Sequence, residues 1–245
     1  MRIPNIFTES CLSELEETQL SGQTAQHLVK VLRMKPGDKV RLFNNTGFFY
    51  SAHIVAATKK SVTIRVTDKE SSASESKIIT HLGQVMSRGD RMDYAIQKST
   101  EMGVSEITPL SSERCELKLS SERESKRLNH WQQVAVNAAE QCGRAFVPKI
   151  NNIESVESWV KSCKSELSLV LHHRDTQKLD QIKNKPRSVD LLIGPEGGLS
   201  ETEIALALKS NFTPCTFGPR IMRTETAPVA CLSILQWLWG DFQSK

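Results

Sequence analysis

The chain has 245 residues and a formal net charge of +4, with 38% hydrophobic and 24% charged residues. That profile fits a soluble globular protein with room for a small domain and a medium one. No stretch approaches the roughly 20 apolar residues that cross a bilayer. The first thirty residues cluster Glu14, Glu16 and Glu17 where a secretory leader would be apolar, which points to the cytoplasm. The six cysteines stand far apart and form no CxxC pair, which argues against zinc or a disulfide framework and for reduced thiols.

Residues 1–70 hold ten Lys/Arg against seven Asp/Glu, whereas the rest of the chain is nearly balanced at 22 against 21. A segment facing phosphates would carry that excess, and so would an ordinary solvated surface. Here HLVKVLRM reads as a short helix, followed by a turn at Met34–Asp38. VRLFN, FFYSAHIVA and SVTIRVTD are rich in β-branched and aromatic residues. They are separated by the turn-forming Asn44-Asn45-Thr46-Gly47 and Thr58-Lys59-Lys60. The pattern predicts a small β-barrel over 1–70. The polar KESSASESK run reads as a linker or exposed loop, with the linker proper at 71–77.

From residue 78 to 245 strands alternate with helices. IITHLGQVM is a strand. DRMDYAIQKSTEMG is a helix with Met92, Ile96, Ser99 and Met102 on one side and Gly103 at its end. SEITPL is a strand, and residues 122–142 form a long helix with Leu128, Trp131, Ala135 and Ala138 in its stripe. LSLVLHH, VDLLIG and PCTFG are short apolar runs of the kind that form buried strands. PVACLSILQWLW closes the chain as a helix with Pro228 in its first turn. The alternation predicts an α/β domain with a mainly parallel sheet.

In such sheets ligands bind beyond the carboxyl ends of the strands. One strand runs into Gly194-Pro195-Glu196-Gly197-Gly198-Leu199-Ser200, and Ser200 with Glu203 has capping-box spacing, so a helix should start there. The segment is neither a dinucleotide fingerprint nor a P-loop, and Glu196 would repel phosphate. It reads as a cradle for an uncharged base or a cationic group, or as a tight turn with no ligand. The second loop, Thr216 to Ala227, gathers two arginines, Thr224 and Glu225, either for function or to tie itself down. The third segment, Asn137 to Arg144, sets Asn137 and Gln141 four residues apart on one helix face. It suits RNA contact and solvent-exposed capping equally.

Taken in order, the RIPNIF and HLVKVLRMKPGDKV segments, QKSTEMGV, NAAEQCGR, GPEGGLSETE and FGPRIMRTETA resemble the bacterial 16S ribosomal RNA uracil-N3 methyltransferases, the RsmE family of the SPOUT class. The resemblance covers nearly the whole chain. Phe217 and Met222 stand where leucine is common in that family, and Cys115 and Cys142 where serine is common. The resemblance implies a PUA-like RNA-binding β-barrel and a SPOUT domain with a C-terminal trefoil knot, assembled as a homodimer. It also implies S-adenosylmethionine as cofactor, held by Leu171, His172, Ile193, Gly194, Pro195, Glu196, Gly197, Gly198, Leu199, Phe217, Gly218, Ile221, Met222 and Arg223.

The expected partner is 16S ribosomal RNA of the small subunit, with no membrane and no metal. His172 and His173 are adjacent in a strand and so point to opposite faces. Uracil N3 is protonated at neutral pH, so methylation there needs a base or a cation that steadies the uracil anion. Arg223 is the expected cation, with Glu140 and Glu225 as proton acceptors or as groups that orient it. Arg2, Lys30, Arg33, Lys35, Asn137, Gln141 and Arg144 are the expected RNA contacts. Two rival readings are a SPOUT enzyme acting on a ribose 2′-hydroxyl or a transfer RNA base, and a non-enzymatic RNA-binding or ribosome-assembly protein.

Overall fold

The computed structural model describes residues 3–115, 121–172, 179, 182 and 185–243. The chain forms two compact units, Met1–Glu75 with Ala139–Val147, and Ser76–Ala138 with Pro148–Lys245.

In the first unit, strands β1 (Asn5–Phe7), β2 (Glu17–Ser21), β3 (Lys39–Phe43), β4 (Phe48–Ala57) and β5 (Ser61–Ser71) form one sheet in the order β1-β3-β4-β5-β2. Among the described residues only the β1–β3 pair of this sheet is parallel. Register shifts at Ser51/Ala52 and Ile54/Ala56 bend the long β4–β5 ribbon. The sheet thereby curls round a core in which Ile6 and Leu20, from its two edge strands, join Leu42, Ile54 and Ile64. Helix α1 (Gly22–Gln26) and a π-helical turn (His27–Val31) add Ala25 and Leu28 to that core.

The predicted turns are present. Asn45 and Gly47 take the left-handed conformation between β3 and β4. The Thr58 hydroxyl accepts from Ser61 N–H at 3.0 Å between β4 and β5.

Two expectations about boundaries are corrected. β5 continues to Ser71 because Phe48, Phe49 and Tyr50 pair with Ser71, Glu70 and Lys69, so part of the expected linker is strand. Glu75, also assigned to the linker, is an anchor: its carboxylate meets Arg144 Nη2 at 2.8 Å and accepts from Ala145 N–H at 3.1 Å. Through these bonds, and one from Val147 N–H to Asn45 Oδ1 at 2.8 Å, residues 139–147 belong to the first unit although they lie deep in the second half of the predicted organisation.

The second unit is an α/β domain. Its strands are β6 (Ile79–Val85), β7 (Glu106–Ser111), β8 (Lys149–Ile150), β9 (Glu154–Ser155), β10 (Leu167–Leu171), β11 (Ser188–Ile193) and β12 (Thr213–Cys215). Its helices are α2 (Arg91–Glu101), α3 (Ser121–Cys142, whose last residues belong to the first unit), α4 (Val156–Ser162), α5 (Glu201–Lys209) and α6 (Thr226–Leu238). The sheet order is β12-β10-β11-β6-β7-β8, with β9 also on β7, and every pair among the described residues is parallel. The long elements fall where hydrophobic periodicity put them, and Met92, Ile96, Ser99, Trp131, Ala135 and Ala138 are buried.

α4 with β8 and β9 was missed, yet α4 supplies a main core group. Trp159 is 1% exposed and lies against β6 so closely that a Cβ on Gly83 would sit 2.6 Å from its ring. Gly83→Ala is therefore expected to cost about 1–3 kcal/mol by overpacking. The urea unfolding midpoint measures it, and an unchanged midpoint would mean that Trp159 yields freely.

Candidate functional site

Because the strands are parallel, their carboxyl ends share one edge of the sheet, and the loops after β6, β7, β10, β11 and β12 all emerge there. The chain leaves β6 towards β7 and leaves β11 in the other direction, to β12 beyond β10. The carboxyl ends of β6 and β11 thus form a topological switch point, where open α/β sheets place their ligands. Ile193, the last residue of β11, is in register with Gln84 of β6.

The glycine loop follows Ile193. Gly198 N–H donates to Pro195 O at 2.9 Å, and Gly198 takes φ +69°. Nothing lies within 4 Å of where its Cβ would be, so the turn is open on that side. At Gly194 a Cβ would stand 3.0 Å from Leu199 Cγ and 3.2 Å from Leu199 N, so the backbone closes on itself there. The capping box forms as the spacing predicts: Glu203 N–H donates to Ser200 Oγ at 3.1 Å, and Ser200 N–H to Glu203 Oε2 at 2.8 Å. Glu203 Oε1 also accepts from Glu113 N–H at 3.0 Å, which fixes the β7 loop against the start of α5.

Two arginines outside the expected set hold this loop. Arg114 Nη1 donates to the carbonyls of Gly197 and Leu199 at 3.1 and 3.4 Å. Arg91, the first residue of α2, pairs with Glu196 at 2.5 Å. That hydrogen bond holds the guanidinium above its ordinary pKa, and the Glu225 charge adds to it. Glu196 is therefore an engaged carboxylate and not an open one. Arg91 and Arg114 both sit just past strand ends, so the rule about carboxyl ends could have flagged them from sequence.

The loop after β12 returns to the same place. Thr224, 5% exposed, donates its hydroxyl proton to Gly194 O at 2.9 Å and accepts from Gln84 Nε2 at 3.0 Å. Arg223 O accepts from the N–H groups of Thr226 and Ala227 at 3.0 Å, which starts α6 beside Gly194 while leaving the Arg223 side chain exposed. Glu225 Oε2 and Gln84 Oε1 are buried without a hydrogen-bond partner. Phe217 and Met222 are half-buried and Gly218 is exposed, whereas Ile221 is 95% exposed, an apolar side chain with nothing over it. Leu171 is in register with Cys215, and His172 N–H bonds Cys215 O at 2.9 Å, so both lie at the base of this loop. The structure thus gathers Leu171, His172, Ile193–Leu199, Phe217–Arg223 and Glu225 at one edge of the second unit.

The remaining expected residues stand elsewhere. Lys30, Arg33 and Lys35 are exposed in the first unit, and Arg2 lies outside the described residues, as does His173. Asn137 is exposed and accepts from Gln133 Nε2, one turn before it, at 2.9 Å. Gln141 is exposed in the first unit. Arg144 is 6% exposed and committed to Glu75, which gives it a structural task in this chain in place of an open RNA contact. Glu140 belongs to the first unit, where its Oε1 accepts from Phe7 N–H at 2.9 Å and its carbonyl accepts from Asn5 Nδ2 at 3.1 Å. Among the described residues no cluster of three His, Cys, Asp or Glu could hold a metal ion, and no helix is long and apolar enough to cross a membrane.

Two outcomes follow from this geometry. Thr224→Val keeps the shape but strips a hydrogen bond from both Gln84 and Gly194. It should cost about 1–3 kcal/mol in denaturant unfolding, while Thr224→Ser should stay near the parent. Burial raises the Glu140 carboxyl above its ordinary value against the opposing Phe7 bond. Its favourable contribution is then complete below the unfolded-state value, about pH 4.3, and is lost as pH rises through the raised folded value. Glu140→Gln, which keeps an acceptor for Phe7, should match the parent's thermal midpoint in acid and exceed it at neutral pH. A constant difference across the titration would sink the assignment.

Comparison with known proteins agrees with this architecture. Residues 74–236 match the family model of the RNA methyltransferase domain, and residues 20–67 that of the RNA methyltransferase PUA domain. The ribosomal RNA small subunit methyltransferase E of Buchnera aphidicola (subspecies Schizaphis graminum) is 37% identical, over 98% of each chain. A Legionella pneumophila methyltransferase, solved with the cofactor SAM bound, superposes with a TM-score of 0.95 at 36% identity, covering 99% of this chain and 100% of that one. The Neisseria gonorrhoeae ribosomal RNA small subunit methyltransferase E, bound to S-adenosyl methionine, gives 0.92 at 34% identity with the same coverage. With its PUA domain, its parallel α/β domain and relatives along its whole length, the chain belongs to the ribosomal RNA small subunit methyltransferase E family, the RsmE family.

Proposed function

We propose that this protein uses S-adenosylmethionine to methylate N3 of a specific uridine in 16S ribosomal RNA of the small subunit. The observation that carries the reading is the Gly194–Leu199 turn, pinned at the switch point by Thr224 and Gln84 in a chain of this family. The residues fit the cofactor. Gly198 leaves space beside the turn, Ile221 offers an uncovered apolar side chain to a purine, and the buried, unpartnered Glu225 oxygen suits a ligand bearing a cation or a donor. Leu171, His172, Ile193–Leu199, Phe217, Gly218, Ile221, Met222 and Arg223 would hold it. When bound, the cofactor supplies a methyl group activated by its positive sulfur. The return of the chain from β12 to Gly194 supports the trefoil knot that the family resemblance implies, and the reading includes a cytoplasmic homodimer.

The protein's own groups have to place the uracil and manage its N3 proton. Arg223, whose backbone is fixed by capping α6, directs an exposed guanidinium where it steadies negative charge on a uracil carbonyl. Glu225 is the favoured proton acceptor because one of its oxygens is unused, while Glu140 is engaged with Phe7 in the first unit. Lys30, Arg33, Lys35, Gln141 and Arg2 in the first unit, and Asn137 in the second, would contact RNA, and Arg144 would tie residues 139–147 to the first unit through Glu75.

The test is nucleoside mass spectrometry of unmodified small subunits incubated with protein and S-adenosylmethionine, in which 3-methyluridine is the expected product. Another methylated nucleoside would overturn the substrate, and no methylation would overturn the activity. Arg223→Ala should lower turnover about 10²–10³-fold, the cost of losing one donor to a developing anion. Full turnover would remove Arg223 from its role.

A further inference from the structure

The segment between β2 and β3 divides an apolar run in an unusual way. The π-helical turn at His27–Val31 is closed by Leu32 N–H donating to His27 O at 3.0 Å, and Met34 N–H donates to Leu28 O at 3.0 Å. The wider turn sends Leu28 into the core, with Val29 and Met34 packed on it, and turns the next two apolar side chains outward. Val31 is 66% exposed and Leu32 38%. Arg33 then takes φ +54°, a left-handed conformation that costs a non-glycine residue energy and that recurs where function demands it. Between Glu17 and Asp38 the chain carries Lys30, Arg33 and Lys35 and no carboxylate. Asp38 itself accepts from Lys35 N–H at 2.7 Å. Two bulky apolar groups therefore stand in water, with three exposed cations within four residues of them along the chain.

Phosphates alone would call only for the cations, and the stacked bases of a duplex offer apolar side chains no face. A single strand offers both a polyanion and free base faces. We infer that the tip Lys30–Lys35 is a contact site for unstacked bases of single-stranded RNA, in which Val31 and Leu32 meet base faces and the three cations meet the adjoining phosphates. The inference rests on the reading of the substrate as RNA. It adds that this domain selects RNA whose bases are free, so the target is approached through an unpaired stretch.

The experiment measures binding of the full-length protein, by fluorescence anisotropy over a range of salt, to a short unstructured RNA and to a duplex of the same length. Val31→Ser with Leu32→Ser should weaken the single strand about tenfold, on the scale of one lost base contact. The salt slope should not change, the duplex should bind as before, and the thermal midpoint should not move. Lys30→Ala with Arg33→Ala should weaken both RNAs and lower the salt slope by roughly two. Equal losses of the serine variant on both RNAs, or no loss, would overturn the inference. So would unchanged RNA binding with loss of binding to phosphatidylglycerol vesicles. The functional reading fails separately: parent protein that prefers single strands through this tip but forms no 3-methyluridine would leave the inference standing and remove the reaction.

Discussion

The Thr224 hydroxyl joins three stretches of chain at one oxygen, and much of the candidate site takes its shape from that junction. Gln84 comes from β6, Gly194 from the end of β11, and Thr224 from the loop that opens α6. A carbonyl cannot donate, so the hydroxyl proton goes to Gly194 and a lone pair receives the Gln84 amide. The directions are thus fixed by chemistry as well as by position. Held at this point, the glycine turn and the Arg223 backbone keep a constant relation. Among the buried side-chain oxygens of the described residues that lack a partner, Gln84 Oε1 belongs to a residue of the junction and Glu225 Oε2 to the neighbour of Thr224.

Charge refines what the backbone sets. An arginine in the first turn of a helix opposes the helix dipole, and Arg91 occupies that place in α2 with Glu196 as its counter-charge. The pair is nearly half exposed on both sides and so adds little stability by itself. Its effect is orientation: together with Arg114 it holds the glycine turn from two sides, while the turn and the capping box define its path.

The legible parts of the sequence are those written at short range. The Ser200–Glu203 box spans four residues, the Asn45–Gly47 turn shows in its composition, and the parallel strands are apolar runs between helical periods. The glycine loop and the Thr224 loop could be picked out because each follows a strand. Their bond could not, because no local pattern links Thr224 to Gln84 140 residues away. Glu75 failed for the same reason: it lies in a Ser-rich run, and only Arg144, 69 residues later, makes it an anchor. α4 has seven residues and β8 and β9 two each, too short for any period to emerge, although Trp159 is among the largest buried side chains.

The first unit is also built from two stretches of chain that synthesis delivers far apart. Its sheet is complete at Ser71, but the partners of Phe7, Asn45 and Glu75 lie between Glu140 and Val147. A nascent chain that has emerged only as far as Glu75 would leave the Phe7 amide and the Glu75 carboxylate to water. The N-terminal unit therefore closes only once Glu140–Val147 has left the ribosome, after Ser76–Ala138 of the second unit has already been made.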